Sequence, residues 1–234
     1  MKEETIRTAM VLGQSSVDHL GACHVAVFGI GGVGSFTAEA LARAGVGTLT
    51  LVDDDVVSVS NINRQLVALH STIGMPKTEV MAARIHDINP DCKVNILTKR
   101  YTDETKDSFF SLGFDFIADC IDSVPCKTSL IETAIQRQVP IISAMGTGNK
   151  LDPTKFVITD LSKTKACPLA RTMRYQLKQR GITHHTVLYS EELPTKPGFQ
   201  PQEGVQVPGS VSWVPSCAGL MIAGHIIRTL ITAE

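Results

Sequence analysis

The 234-residue sequence has no Cys-x-x-Cys pair, although it carries six cysteines, at positions 23, 92, 120, 126, 167 and 217. Without thiolates at that spacing a four-sulfur structural zinc site has no standard ligand set. Cysteines scattered singly, two of them inside apolar runs, fit free thiols of a reducing compartment rather than a disulfide framework. Net charge is nearly absent: 22 Lys+Arg against 23 Asp+Glu leave −1. That excludes a protein that grips nucleic acid through overall positive charge and leaves only a local patch for the purpose. Long apolar runs are lacking too. The most apolar late stretch, Cys217 to Ile231, has 15 residues and is interrupted by His225 and Arg228, short of the roughly 20 that span a bilayer. The opening MKEETIRTAM has charges where a secretory signal needs an apolar core, so no signal peptide is expected and a cytoplasmic location follows. At 43% hydrophobic residues the chain can bury a sizeable core, and a single domain over 1–234 is expected.

The first half carries the clearest pattern. An amphipathic leader (1–22) precedes His24–Phe28, a short apolar run that reads as a buried strand. It leads into Gly29-Ile-Gly31-Gly32-Val-Gly34 and then a helix-forming stretch that stops at Gly45. Strand, glycine turn and helix give the context in which G-x-G-x-x-G counts: glycines let backbone N–H groups approach a phosphate, and the helix amino terminus adds partial positive charge. A tight turn without a ligand is the alternative. A second strand, Thr48–Val52, ends in Asp53, 19 residues beyond Gly34, where an acid can accept hydrogen bonds from a ribose.

The residues after this strand argue against a dinucleotide. Asp53-Asp54-Asp55 would repel phosphate in a dehydrogenase, but beside a metal-bound triphosphate these acids make sense together with Asn61, Arg64 and Gln65. Lys77 follows Pro76 in the first turn of a predicted helix, where the dipole disfavours a cation unless an anion binds there; it reads as a phosphate ligand or a solvated surface lysine. The apolar strand Phe114–Ile121 ends at Asp122, either a Mg²⁺ ligand at the carboxyl edge of the sheet or a helix N-cap.

In this order, GxGGxG, Asp53, the Ser60-to-Gln65 segment, Lys77 and Asp122-Ser123 resemble the ubiquitin-activating-type adenylyltransferases over about residues 24–150. The resemblance implies a Rossmann-like α/β fold with a mostly parallel open sheet, a nucleotide-binding core over 23–150, and a carboxy-terminal antiparallel and helical extension. It also implies ATP held by Asp53, Arg64 and Lys77, Mg²⁺ positioned by Asp122, and a homodimer in which Arg7 enters the neighbouring subunit's site.

The second half narrows the branch. Asn149-Lys-Leu-Asp-Pro153, Thr159 to Thr164, Pro168-Leu-Ala-Arg171 and Val187 to Glu192 are similar to the tRNA threonylcarbamoyladenosine dehydratases in order and spacing. This branch implies an ATP-dependent dehydration of the modified adenosine beside the tRNA anticodon, through adenylation of a carboxylate. Independently, residues 162–190 hold six cations (Lys163, Lys165, Arg171, Arg174, Lys178, Arg180) and no acid. Arg171, Arg174 and Lys178 share a face of a predicted helix over 168–180, either a patch for tRNA phosphates, joined by Arg180, or a solvated face. His184, His185 and Tyr175 are candidates for stacking on bases, with exposed polar filler the alternative for the histidines. A proline- and glycine-rich crossover over 191–211 and an apolar helix from Ser216 close the chain.

The alternative function is activation of a small ubiquitin-like or sulfur-carrier protein. This would bring in a sulfur-relay partner, such as a cysteine desulfurase or its acceptor, and a reactive cysteine. Cys167, ahead of Pro168, is a candidate although the dehydratases commonly have Asp there. A nicotinamide-dependent dehydrogenase and a nucleotide sensor are further rivals.

Overall fold

A computed structural model of the chain describes residues 2–201 and 207–232. Residues 202–206, in the middle of the expected crossover, lie outside the described residues, as do Met1, Ala233 and Glu234.

The strands are β1 (His24–Phe28), β2 (Thr48–Val52), β3 (Lys93–Leu97), β4 (Phe116–Asp119), β5 (Ile141–Ala144), β6 (Phe156–Asp160) and β7 (Thr186–Ser190). They form one seven-stranded sheet in the order β3-β2-β1-β4-β5-β7-β6. Every pair is parallel except β6 with β7, which gives the expected open sheet with an antiparallel edge. The helices are α1 (Ile6–Leu12), α2 (Gln14–Ala22), α3 (Gly34–Ala44), α4 (Lys77–Ile88), α5 (Lys106–Phe110), α6 (Val124–Gln136), α7 (Pro168–Lys178) and α8 (Trp213–Ile231).

Because the central strands are covered on both faces, they read as continuous apolar runs. On β1, Val25 and Val27 join a core with Leu41, Met81 and Ile222 from α3, α4 and α8. Ala26 and Phe28 point to the other face, where Phe109, Leu130 and Met173 from α5, α6 and α7 pack. Strand order reverses between β1 and β4. At such a switch point the connections leave on opposite sides and open a crevice at the carboxyl ends of the strands.

The last helix begins at Trp213, three residues before the expected start, and the Trp213 indole donates to the Leu151 carbonyl at 2.8 Å. With 19 residues and a mean hydropathy of 1.5, α8 is long and apolar enough by composition to cross a membrane. However, its Val214, Ala218, Ile222, Ala223 and Ile226 are fully buried within the core. A Cβ at Gly219 would stand 2.3 Å from the Val33 carbonyl oxygen, so only glycine lets α8 lie this close to the start of α3.

Candidate active site

The crevice is a cavity of about 850 Å³ lined by the glycine turn, Asp53–Asp55, Asn61, Arg64, Gln65, Lys77 and Asp122, a volume within the usual range for ligand sites of about 300–1,000 Å³. Its first wall is the glycine turn. A Cβ at Gly34 would lie 1.7 Å from the Gly29 carbonyl oxygen, which forces glycine where the turn closes into α3. Gly29, Gly31 and Gly32 line the cavity; Gly34 stands behind them. Asp53 ties the ends of β1 and β2 together: Oδ2 accepts the Ile30 N–H at 2.6 Å and Oδ1 accepts the Asp55 N–H at 2.9 Å. Burial pushes the Asp53 carboxyl above its ordinary pKa, opposed by Lys77 and these two N–H groups.

Lys77 is neither solvated nor unpaired. Its side chain is buried, and Nζ forms an ion pair with Asp55 Oδ2 at 2.6 Å. Pro76 is the N-cap, and Lys77 opens α4 as its first residue. Asp55, expected among the nucleotide contacts, thus serves here as the counter-ion that fixes Lys77 at the cavity wall. Arg64 is held by the Ser60 carbonyl at 2.9 Å and Asn63 Oδ1 at 3.1 Å. Asn61 caps its own short helix by accepting the Ser58 N–H at 3.2 Å. Gln65 is buried beside the glycine turn, and its Oε1 has no hydrogen-bond partner, an orphan that a bound polar ligand would relieve.

Beneath the third wall lies a buried pair whose partnership the sequence does not show. Lys127 Nζ meets Asp119 Oδ2 at 2.8 Å with both side chains completely buried. Asp119 Oδ1 also accepts the Ile121 N–H at 3.1 Å. The pair therefore closes the turn from β4 to α6, and the turn carries Asp122. The helix N-cap is Ser123, not Asp122. Asp122 is exposed, and among the described residues no hydrogen bond engages its carboxylate. Arg100, just past β3, lines the same cavity; Cys126, Asp54 and Asp122 hold its guanidinium above the ordinary value. The carboxylates of Asp53, Asp54 and Asp55 lie within 4.8 Å of one another, the spacing of a candidate cation site.

The far wall follows β5. Met145 to Lys150, Cys167 to Leu169 and Pro208 to Ser210 line it. Asn149 gathers both ends of the crossover: its carbonyl accepts Thr195 N–H at 2.7 Å, its N–H donates to Gly209 O at 2.8 Å, and Oδ1 accepts Gly209 N–H at 2.6 Å. Cys167 is buried and is the N-cap residue of α7 without a side-chain cap bond.

Several expected residues do not join the cavity. Arg7 is exposed on α1, away from its own chain's cavity. Arg171 and Lys178 are exposed on α7, whereas Arg174 donates to Thr164 and Arg180 pairs with Glu132 at 2.8 Å. Tyr175 is exposed, and His184 contacts Asp160 at 3.2 Å. His185 cannot stack on a base: it is buried and shares a hydrogen bond with Ser143 Oγ at 2.8 Å, and burial lowers its pKa to about 4. Lys99, Arg100 and Lys150, which the sequence patterns do not single out, all follow carboxyl ends of parallel strands. The rule that points to Asp122 applies to them equally.

Residues 4–234 match the ThiF family. The tRNA threonylcarbamoyladenosine dehydratase of Bacillus subtilis is 42% identical over 99% of this chain and 96% of its own length. The Escherichia coli protein of the same name is 43% identical over 73% of this chain and 64% of its own length. The solved E. coli tRNA N6-threonylcarbamoyladenosine dehydratase in complex with ATP has a TM-score of 0.91 at 34% identity, covering 98% of this chain and 94% of that one. The chain belongs to the ThiF family and, within it, to the tRNA threonylcarbamoyladenosine dehydratases.

Proposed function

We propose that the chain uses ATP to dehydrate threonylcarbamoyladenosine in tRNA to a cyclic form. The observation that carries this reading is the likeness, nearly end to end, to a dehydratase in complex with ATP, in a chain whose cavity brings the glycine turn, Arg64 and Lys77 together. One oxygen of the threonyl carboxylate attacks the α-phosphorus of ATP, the bond from that phosphorus to the bridging oxygen breaks, and pyrophosphate leaves with the electron pair. An internal group of the modification then attacks the acyl carbon and gives up a proton, and AMP leaves with the carboxylate oxygen. The missing water is thereby accounted for, and no protein nucleophile is needed.

The chain's part is electrostatic and positional. Backbone N–H groups of the glycine turn and the α3 amino terminus face the phosphates, and Asp53 accepts from the ribose. Arg64 and Lys77, pre-oriented by Ser60, Asn63 and Asp55, take up charge on the triphosphate. Asp122, with its unengaged carboxylate, is the residue that would hold Mg²⁺, whose contribution is to neutralise phosphate charge. A homodimer accounts for Arg7, which shares α1 with Met10 and Val11, apolar side chains that are 81% and 83% exposed. Exposed Lys163, Lys165, Arg171 and Lys178 supply a local, salt-sensitive surface for tRNA. Six free thiols suit a cytoplasmic setting.

The mechanism is tested with threonylcarbamoylated tRNA whose carboxylate carries heavy oxygen. One labelled oxygen should appear in AMP for each ring closed. Ring closure with unlabelled AMP would exclude carboxylate adenylation.

A further inference from the structure

Lys150 is a buried cation with no carboxylate of its own. The residue is 3% exposed, lines the cavity, and donates from Nζ to the main-chain oxygen of Glu192. The Glu192 carboxylate is turned elsewhere, accepting the N–H of Leu151 at 2.9 Å and of Asp152 at 3.0 Å. Among the described residues no acid forms an ion pair with Lys150. A buried charge without a counter-charge is costly, and burial does push the Lys150 ammonium below its ordinary pKa, which Cys167 and Glu192 offset only in part.

A second feature of the same wall also favours an anion. The 11-residue α7 starts at Pro168, and Cys167, Pro168 and Leu169 line the cavity. Its amino terminus has no side-chain cap; Pro168 has no N–H to offer, so the Leu169 and Ala170 N–H groups and the positive end of the helix dipole are what remain available there. This wall is distinct from the phosphate set. The strand that leads to Lys150, β5, is two places across the sheet from β1, which leads to the glycine turn, so the two strand ends stand roughly 10 Å apart at the usual spacing. One cavity therefore offers two places for negative charge.

We propose that Lys150 and the amino terminus of α7 form a second anion subsite, which receives the threonyl carboxylate of the modified adenosine and sets it beside ATP. The inference rests on the proposed function. It answers a specific difficulty of that chemistry: the nucleophile is an anion that must approach a polyanion of the same sign, and a fixed ammonium removes that repulsion while orienting the attacking oxygen.

The test is the affinity of AMP-loaded protein for threonylcarbamoylated tRNA relative to the same tRNA without the modification, so that no turnover is involved. Wild-type protein should prefer the modified tRNA by about 10-fold or more, the scale of one charge-assisted contact. Lys150→Met should cut that preference at least fivefold while leaving affinity for ATP and for unmodified tRNA within twofold, and Lys150→Arg should restore part of it. If the methionine variant folds poorly, Lys150→Gln replaces it. An unchanged preference overturns the inference. So does a parallel loss of ATP affinity and melting temperature, which would make Lys150 only a clamp for the Glu192 carbonyl. Absence of ring closure by wild-type protein would instead count against the proposed function, because the affinity ratio is read without catalysis.

Discussion

The Asp119–Lys127 pair allows the sharpest prediction of stability. Both side chains are completely buried and 2.8 Å apart, so Lys127→Met leaves a carboxylate enclosed in the core beneath the sheet edge. Removing one partner of such a pair costs about 3–5 kcal/mol. With a urea slope of about 3 kcal/mol/M, the unfolding midpoint should fall by about 1–2 M. Asp119→Leu combined with Lys127→Met removes both charges. It should recover most of the loss, short of about 1 kcal/mol for the Ile121 N–H that Asp119 also holds. The double variant should nevertheless bind ATP at least fivefold more weakly, since the turn bearing Asp122 has lost its tether. The assays are urea unfolding followed by fluorescence or circular dichroism, with ATP titration of each folded variant. A single variant costing less than about 1 kcal/mol, or a double variant no more stable than the single, would refute the argument that the pair is an enclosed, mutually dependent unit.

Other consequences concern the site, a buried histidine and the last helix. Asp122→Asn, at an exposed position, should leave the melting temperature within experimental error but lower dehydration at least 100-fold; Arg64→Ala should weaken ATP binding, and unchanged affinity would remove Arg64 from the phosphate set. His185, whose folded-state pKa is lowered from 6.5 to about 4 by burial, is neutral in the fold but takes up a proton on unfolding. Its stabilisation is full above about pH 6.5 and is lost as pH falls toward 4, on the order of 3 kcal/mol in total. Unfolding measured from pH 7 to pH 4.5 should show a steeper decline for wild-type protein than for His185→Gln, and equal slopes would contradict this. Gly219→Ala places a Cβ against the Val33 carbonyl and should cost about 1–3 kcal/mol in thermal or urea unfolding; a neutral effect would mean that α8 shifts away freely.

The nucleotide half is legible because its signals are local. A glycine turn between an apolar strand and a helix, and an acid at the next strand end, need no knowledge of distant contacts. The same logic places Asp122 at the crevice. Residues whose roles depend on tertiary partners are harder to read. In sequence, Lys77 is a phosphate ligand or a solvated surface lysine, yet it is buried on Asp55, 22 residues away in a segment notable only for its acids. His185 resembles exposed polar filler because its partner Ser143 lies 42 residues away on β5, whereas His185 sits just before β7. Asp119 and Lys127, in a strand and a helix, reveal their pairing only once the turn between them is built. The edge strand β3 does not stand out, since its mixed Lys-Val-Asn-Ile-Leu pattern lacks the continuous apolar run of the buried strands. The basic stripe on α7 is visible as sequence, but only the structure shows that Arg174 and Arg180 are already engaged within the chain.

Dehydration itself is read by incubating the purified protein with ATP, Mg²⁺ and threonylcarbamoylated tRNA, then weighing the digested nucleosides by mass spectrometry. The product should be a modified adenosine lighter by one water, formed only with ATP and matched by one AMP and one pyrophosphate per product. An unchanged nucleoside under conditions where ATP is bound would contradict it.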